Sequence, residues 1–145
     1  MLAIFENRLI WAILLSWLVA QGAKFTQHRL RKRKWDLTLL WSASGMPSSH
    51  SAAVSASAVY VGLAQGFDSV LFGLSFVFAM IVMYDAMGVR QSVGHQAEVL
   101  NYLLELRDKD DQYDHLLCER VGHTPKQVAV GVLLGLLMGM LLYYV

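Results

Sequence analysis

The feature that most constrains this chain is the bunching of its apolar residues into stretches with no charge. Residues 51–66, 69–84 and 127–145 contain no Asp, Glu, Lys or Arg. Each is close to the roughly 20 residues, range about 17–25, that carry a helix across a bilayer. Only 16% of the 145 residues are charged, against about 25% in a typical soluble domain, so an ordinary water-soluble globule is a poor fit. Disorder is excluded by the hydrophobic content of 56%, because disordered chains are low in hydrophobicity. The length suits one domain, and the lone Cys118 excludes an intrachain disulfide. These observations predict an all-α fold: a single integral-membrane domain over residues 1–145, a polytopic helix bundle with about four spans and an amphipathic cytoplasmic helix.

The first apolar segment runs from about Leu9 to Ala23 and is short for a span; an interfacial helix is the alternative. It lacks the positive n-region and cleavage site of a signal peptide. A basic run follows, with Lys24, Arg29, Arg31, Lys32, Arg33 and Lys34. Such a run reads as a cytoplasmic anchor beside a membrane. It abuts apolar segments and has no folded reading head, so no nucleic-acid partner is expected. The second span follows His50 and is rich in Ala, Ser and Gly, which let helices approach closely where lipid supplies no hydrophobic drive. That predicts a central place in the bundle. The third span covers roughly 69–86, and residues 91–106 show the apolar periodicity of an amphipathic helix. The fourth span begins after Pro125 and carries Gly131, Gly135 and Gly139 on one face. Packing inside the bundle and a homodimer through that face explain the glycines equally well.

The loop after the first span and the loop from 87 to 126 hold most of the Lys and Arg. By the positive-inside rule both are cytoplasmic, and four spans then leave both termini outside. Four polar clusters far apart in sequence come to one membrane level: Lys24, Pro47–His50, Asp85–Arg90 and Gly122–Pro125. Polar groups gathered at one depth mark a site. Pro47 fits the first turn of a helix, leaving the N–H groups of Ser48, Ser49 and His50 for an anion; a simple Ser cap is the plainer reading. His123 lies four residues after Glu119, whose carboxylate could fix its tautomer. The plainer reading there is a turn and cap. Arg90 has the planar fork that suits phosphate, or it pairs with Asp85 or Glu98. Together two histidines, an arginine, a lysine and a helix N-terminus can transfer a phosphoryl group without a metal or other cofactor. One His attacks phosphorus, the other protonates the leaving oxygen, and the cations stabilise the equatorial oxygens.

Four motifs carry a resemblance. Gly45-Met-Pro-Ser-Ser-His-Ser51, Asp85-x-x-Gly-Val-Arg90, Gln96-Ala-Glu-Val-Leu-Asn101 and Glu119-x-x-Gly-His-Thr-Pro125 resemble the divergent branch of the type 2 phosphatidic acid phosphatase superfamily. That branch is also described as acid phosphatase/vanadium-dependent haloperoxidase-related. The resemblance runs from Asn7 to Gly135. It implies that His123 is the nucleophile and His50 the general acid, that Lys24, Ser49 and Arg90 hold phosphate with Ser48 beside them, and that Asp85, Gln96 and Asn101 support the site. The chain departs from the broader superfamily's motifs. Lys32 stands for Pro in Lys-x6-Arg-Pro, Ser49 for Gly in Pro-Ser-Gly-His, and Val89 for Ser in Ser-Arg-x5-His-x3-Asp. His95, as Arg-x4-His, is the rival nucleophile.

The leading expectation is an integral-membrane phosphatase that hydrolyses a phosphate monoester or diphosphate, a membrane lipid phosphate above all. The alternative is a non-catalytic membrane protein that binds anionic lipid or acts as a scaffold. A third reading, metal binding through His115, Cys118, Glu119 and His123, rests on half of a zinc-type spacing.

Overall fold

The computed structural model describes residues 5–32, 45–106, 116–119 and 121–145. Five helices order these residues: α1 (Arg8–Lys32), α2 (Ser49–Gln65), α3 (Val70–Met87), α4 (Val89–Leu106) and α5 (Pro125–Tyr144). Among the described residues there is no strand, and the fold is a membrane helix bundle. Three stretches are long and apolar enough to cross a bilayer: Arg8–Leu30, Val70–Leu106 and Pro125–Tyr144. The second of these takes in α3 and α4 together. α2, expected as the second span, has 17 residues and owes its place to what it packs against.

α1 is longer than the sequence suggests. It was expected to end near Ala23 with the basic run as a loop, yet it continues through Lys32. Nothing between Lys24 and Lys32 breaks a helix: the stretch has no Gly or Pro, and Lys, Arg, Gln and Leu all favour helix. Cations in the last turns also complement the helix dipole. Charge ends a membrane span, but it does not end a helix.

α2 is central, packed against α1, α3 and α5. It runs parallel to α5, and the seam between them is built from small residues. A Cβ on Gly131 would meet Ser48 and Ser51, one on Gly135 would meet Ala52 and Ser55, and one on Gly139 would meet Ala56 and Val59. Each glycine of α5 thus lies on the next turn of α2. The glycine face is therefore filled by α2 within one chain. Tyr60 and Tyr143 close the far end of the seam edge to face, with ring centroids 5.7 Å apart.

The interior is the reverse of a soluble core. Its largest fully buried side chains are Ser16, Ser48, Ser49 and Ser51, with Ala12, Ala20, Ala52 and Ala56 among them. The large apolar residues are outside. α3 buries only Ala79 and Ala86 while Leu71, Leu74, Phe76, Val77, Phe78 and Ile81 are exposed. In lipid this is the stable arrangement: tails solvate large side chains as well as a core would, and close backbone contact favours small ones.

Candidate functional site

The site is assembled where α2 and α5 begin and α3 ends. Ser48 caps α2, its hydroxyl accepting the Ser51 N–H at 3.3 Å and the Ser51 hydroxyl proton at 2.9 Å. The helix thus starts at Ser49, and Pro47 precedes the cap instead of opening the first turn as expected. The Ser48 N–H donates to the carbonyl of Gln127 at 3.1 Å, which ties the entrance of α2 to the first turn of α5. Lys24 reaches across from α1 past Gly45 and donates to the Ser49 hydroxyl at 3.2 Å. Lys24 and Ser49 are both buried.

His123 is set by three independent constraints. Its own N–H donates to the Ala86 carbonyl at the end of α3, at 2.9 Å. Gly122 before it has φ +85°, and a Cβ there would strike the backbone of Arg90 and Gln91, so only glycine brings the segment this close to α4. Gly94, one turn on, likewise leaves room for the carbonyls of Glu119 and Val121. The ring is 3% exposed, and its Nδ1 lies 3.2 Å from Gln127 Oε1.

That contact fixes the tautomer. Gln127 Oε1 also receives the Thr124 N–H at 3.0 Å, and the Gln127 N–H returns to the Thr124 hydroxyl, completing a capping box on α5. A backbone N–H only donates, so the glutamine atom between them is the oxygen, and Nδ1 of His123 must carry the hydrogen. The lone pair of the neutral ring is then on Nε2, which is buried and has no hydrogen-bond partner. Burial pushes the His123 pKa below the ordinary histidine value; the Gln127 hydrogen bond opposes this, and the nearby Lys24, His50 and Arg90 reinforce it.

His123, His50, Asp85 and Arg90 line one cleft, closed by Val82 and Ala86, with a volume of about 20 Å³. That is room for about a water molecule. Arg90 Nε donates to Asp85 Oδ2 at 2.6 Å, and both side chains are partly exposed. A larger groove of about 330 Å³ lies on the other side of His123, where Gln91, His95, Glu98, Glu119 and Gln127 line it.

Against the sequence-based expectations, the cleft gathers His50, His123, Arg90 and Asp85, while Lys24, Ser48 and Ser49 are buried beside it and do not line it. Glu119 does not orient His123. Its Oε1 accepts from Asn101 Nδ2 at 2.8 Å, and Asn101 further clasps the backbone of Leu117 through both its amide atoms. A spacing of four brings side chains together only on a helix, and residues 116–119 and 121–124 are not helical. Asn101 therefore holds this segment to α4 rather than serving the cleft directly. Gln96 is exposed on α4 and lines neither cavity. His95 is exposed, 3.6 Å from Glu98, and lines the groove but not the cleft. The orienting residue missed by the expectations is Gln127. Its signal was present, since Thr124-Pro-Lys-Gln127 has the capping-box spacing and places Gln127 four residues after His123. No group of three or more metal-ligating side chains occurs among the described residues; His115, one of the four in the metal reading, lies outside them.

The comparisons with known proteins agree with this architecture. A sequence family described as the divergent PAP2 family matches residues 5–138. The chain is 41% identical over 137 residues to the uncharacterized membrane protein YuiD of Bacillus subtilis (strain 168), covering 86% of this chain and 87% of that one. No solved structure matches. The chain belongs to the divergent PAP2 family.

Proposed function

We propose that this divergent PAP2 membrane protein is a metal-independent phosphatase, acting on a phosphate monoester or diphosphate of a lipid through His123 and His50. The observation that carries the proposal is the state of His123. Its Nε2 is buried without a partner, its Nδ1–H is held by Gln127, and the ring shares a cleft with His50 and Arg90. Nε2 attacks phosphorus, the phosphorus–oxygen bond to the leaving group breaks, and His50 gives the departing oxygen its proton. Water then attacks the phosphohistidine, His50 takes the water's proton, and phosphate leaves. Arg90, released from Asp85, spans two equatorial oxygens with its fork. Opening that ion pair also enlarges a cleft too small for phosphate. With basic loops cytoplasmic, the cleft faces the cytoplasmic leaflet.

Acid-labile phosphate trapped on the protein during turnover tests this reading. The label is expected in the wild type and in His95→Ala, and absent in His123→Ala. Label lost in His95→Ala instead would move the nucleophile to that residue. His50→Ala is expected to slow alkyl phosphates more than activated aryl phosphates, whose oxygen leaves without a proton.

A second reading, a non-catalytic protein that holds anionic lipid through its basic segment, is favoured by a cleft closed to phosphate and an Arg90 engaged with Asp85. It predicts equilibrium binding of a lipid phosphate with no phosphoprotein and no released phosphate.

A further inference from the structure

We infer that α4 is a membrane-surface helix, lying with its apolar face in the bilayer interface at the level of the cleft. α3 and α4 follow one another in a helical stretch of 37 residues, Val70–Leu106, whose strongly apolar part is α3. As a single straight helix it would be about 55 Å long, far beyond the roughly 30 Å hydrocarbon core. α3 alone, with 18 residues, fills that core at about 27 Å. The helix breaks at Gly88, whose φ of −104° and ψ of −88° are not helical. α4 therefore starts at the edge of the hydrocarbon, and its two faces decide where it goes next.

One face holds Gly94, Ala97 and Asn101, all buried, and receives Leu117, Glu119 and Val121. The charges of α4 collect on that side: at 3.6 residues per turn, Arg90, Glu98 and Glu105 fall next to the buried residues. The opposite face carries Val89, Val93, Val99, Leu100, Leu103 and Leu106, all exposed, with Ser92 and Gln96 as its uncharged polar members and no charged residue. A helix projecting into water would expose this apolar face to solvent. The occupant is the bilayer because α4 starts directly after α3, whose exposed flank of Val77, Ile81 and Tyr84 lies in the lipid-crossing stretch. Such helices seat the apolar side roughly 5–10 Å into the interface. The mouth of the cleft, at Arg90 in the first turn of α4, then lies at headgroup depth. This placement depends on the membrane bundle and holds whether or not the cleft is catalytic.

The test is fluorescence quenching of the full chain in phosphatidylcholine vesicles, on a Cys118→Ser background. Leu100→Cys and Leu103→Cys carry an environment-sensitive label on the apolar face, with Val93→Cys as a third position; Glu105→Cys reports the polar side. Labels at 93, 100 and 103 are expected to lose emission to a lipid quencher placed shallow in the acyl chain and to be spared by iodide, with the label at 105 behaving oppositely. Quenching by iodide at 100 and 103 would put the face in water and overturn the inference. Protection from both quenchers would overturn it as well, assigning the face to a second copy of the chain, the only protein present.

Discussion

The α2–α5 seam and the α3–α4 arm use opposite solutions to the same solvent. In the seam, Gly131, Gly135 and Gly139 lie against successive turns of α2, and the buried residues are Ser, Ala and Gly. In the arm the large apolar side chains point outward, and Gly73 has nothing within 4 Å of where a Cβ would stand. Without a hydrophobic drive between helices, position in the seam is set by backbone contact, which tolerates no added atom. The arm is held by its outward apolar surface, where one side chain replaces another at little cost. His123 and Gln127 open the α5 side of the seam, so His123 sits on the rigid partner, and the arm brings Asp85 and Arg90 to the same cleft.

The largest expected contrast is between the two histidines. His123→Ala should cut turnover by about four orders of magnitude or more, as loss of a nucleophile does, while His95→Ala on the arm should leave it within a few-fold; steady-state hydrolysis of a lipid phosphate measures both. Equal losses would dissolve the distinction. Next come the glycines. Gly135→Leu should destabilise the bundle by at least about 3 kcal/mol, the upper range for overpacking, because the obstacle is the backbone of α2. Gly73→Leu should leave thermal stability in detergent unchanged. A smaller effect is expected where the two regions meet. Gly122→Ala must adopt φ +85° at a cost of about 1–2 kcal/mol and must push α4 away, so activity should fall further than stability does. Retained kcat in that variant would show that His123 needs no support from the arm. The smallest expected effect is on pH. His123 attacks only when neutral, and burial lowers its pKa. The acidic limb of kcat/KM should therefore lie below the ordinary histidine value of about 6.5, with activity rising as pH increases through it. An acidic limb above that value would mean that the attacking group is not buried.

Much of this was legible in the sequence, because membrane spans are written in composition. The charge-free runs located α3 and α5, and the density of Ala and Ser in the run 51–66 identified the helix at the centre. What the sequence left open depended on register and backbone path. The end of α1 was hidden because Lys and Arg stop insertion while favouring helix. The glycine face of α5 fitted a neighbouring helix or a second chain, and the neighbouring position of α2 could not be read from spacing alone. Glu119 was a reasonable partner for His123 if the segment were helical; Gly122, at positive φ, ensures that it is not. The partner that is present, Gln127, was encoded in a capping pattern whose structural role concealed its contact with the ring.

The parallel course of α2 and α5 has a consequence for how the protein is made. Parallel neighbours cannot be joined by a tight turn, and here α3 and α4 lie between them in the chain. α2, which is not long and apolar enough to span by itself, therefore has its small-residue face uncovered until α5 is made. The Ser48 bond to Gln127 and the setting of His123 both belong to that late closure. A chain made as far as α4 already holds His50, Asp85 and Arg90, yet it has no buried histidine beside them. The fold thus leaves the His123 ring unenclosed until the remainder of the bundle is in place.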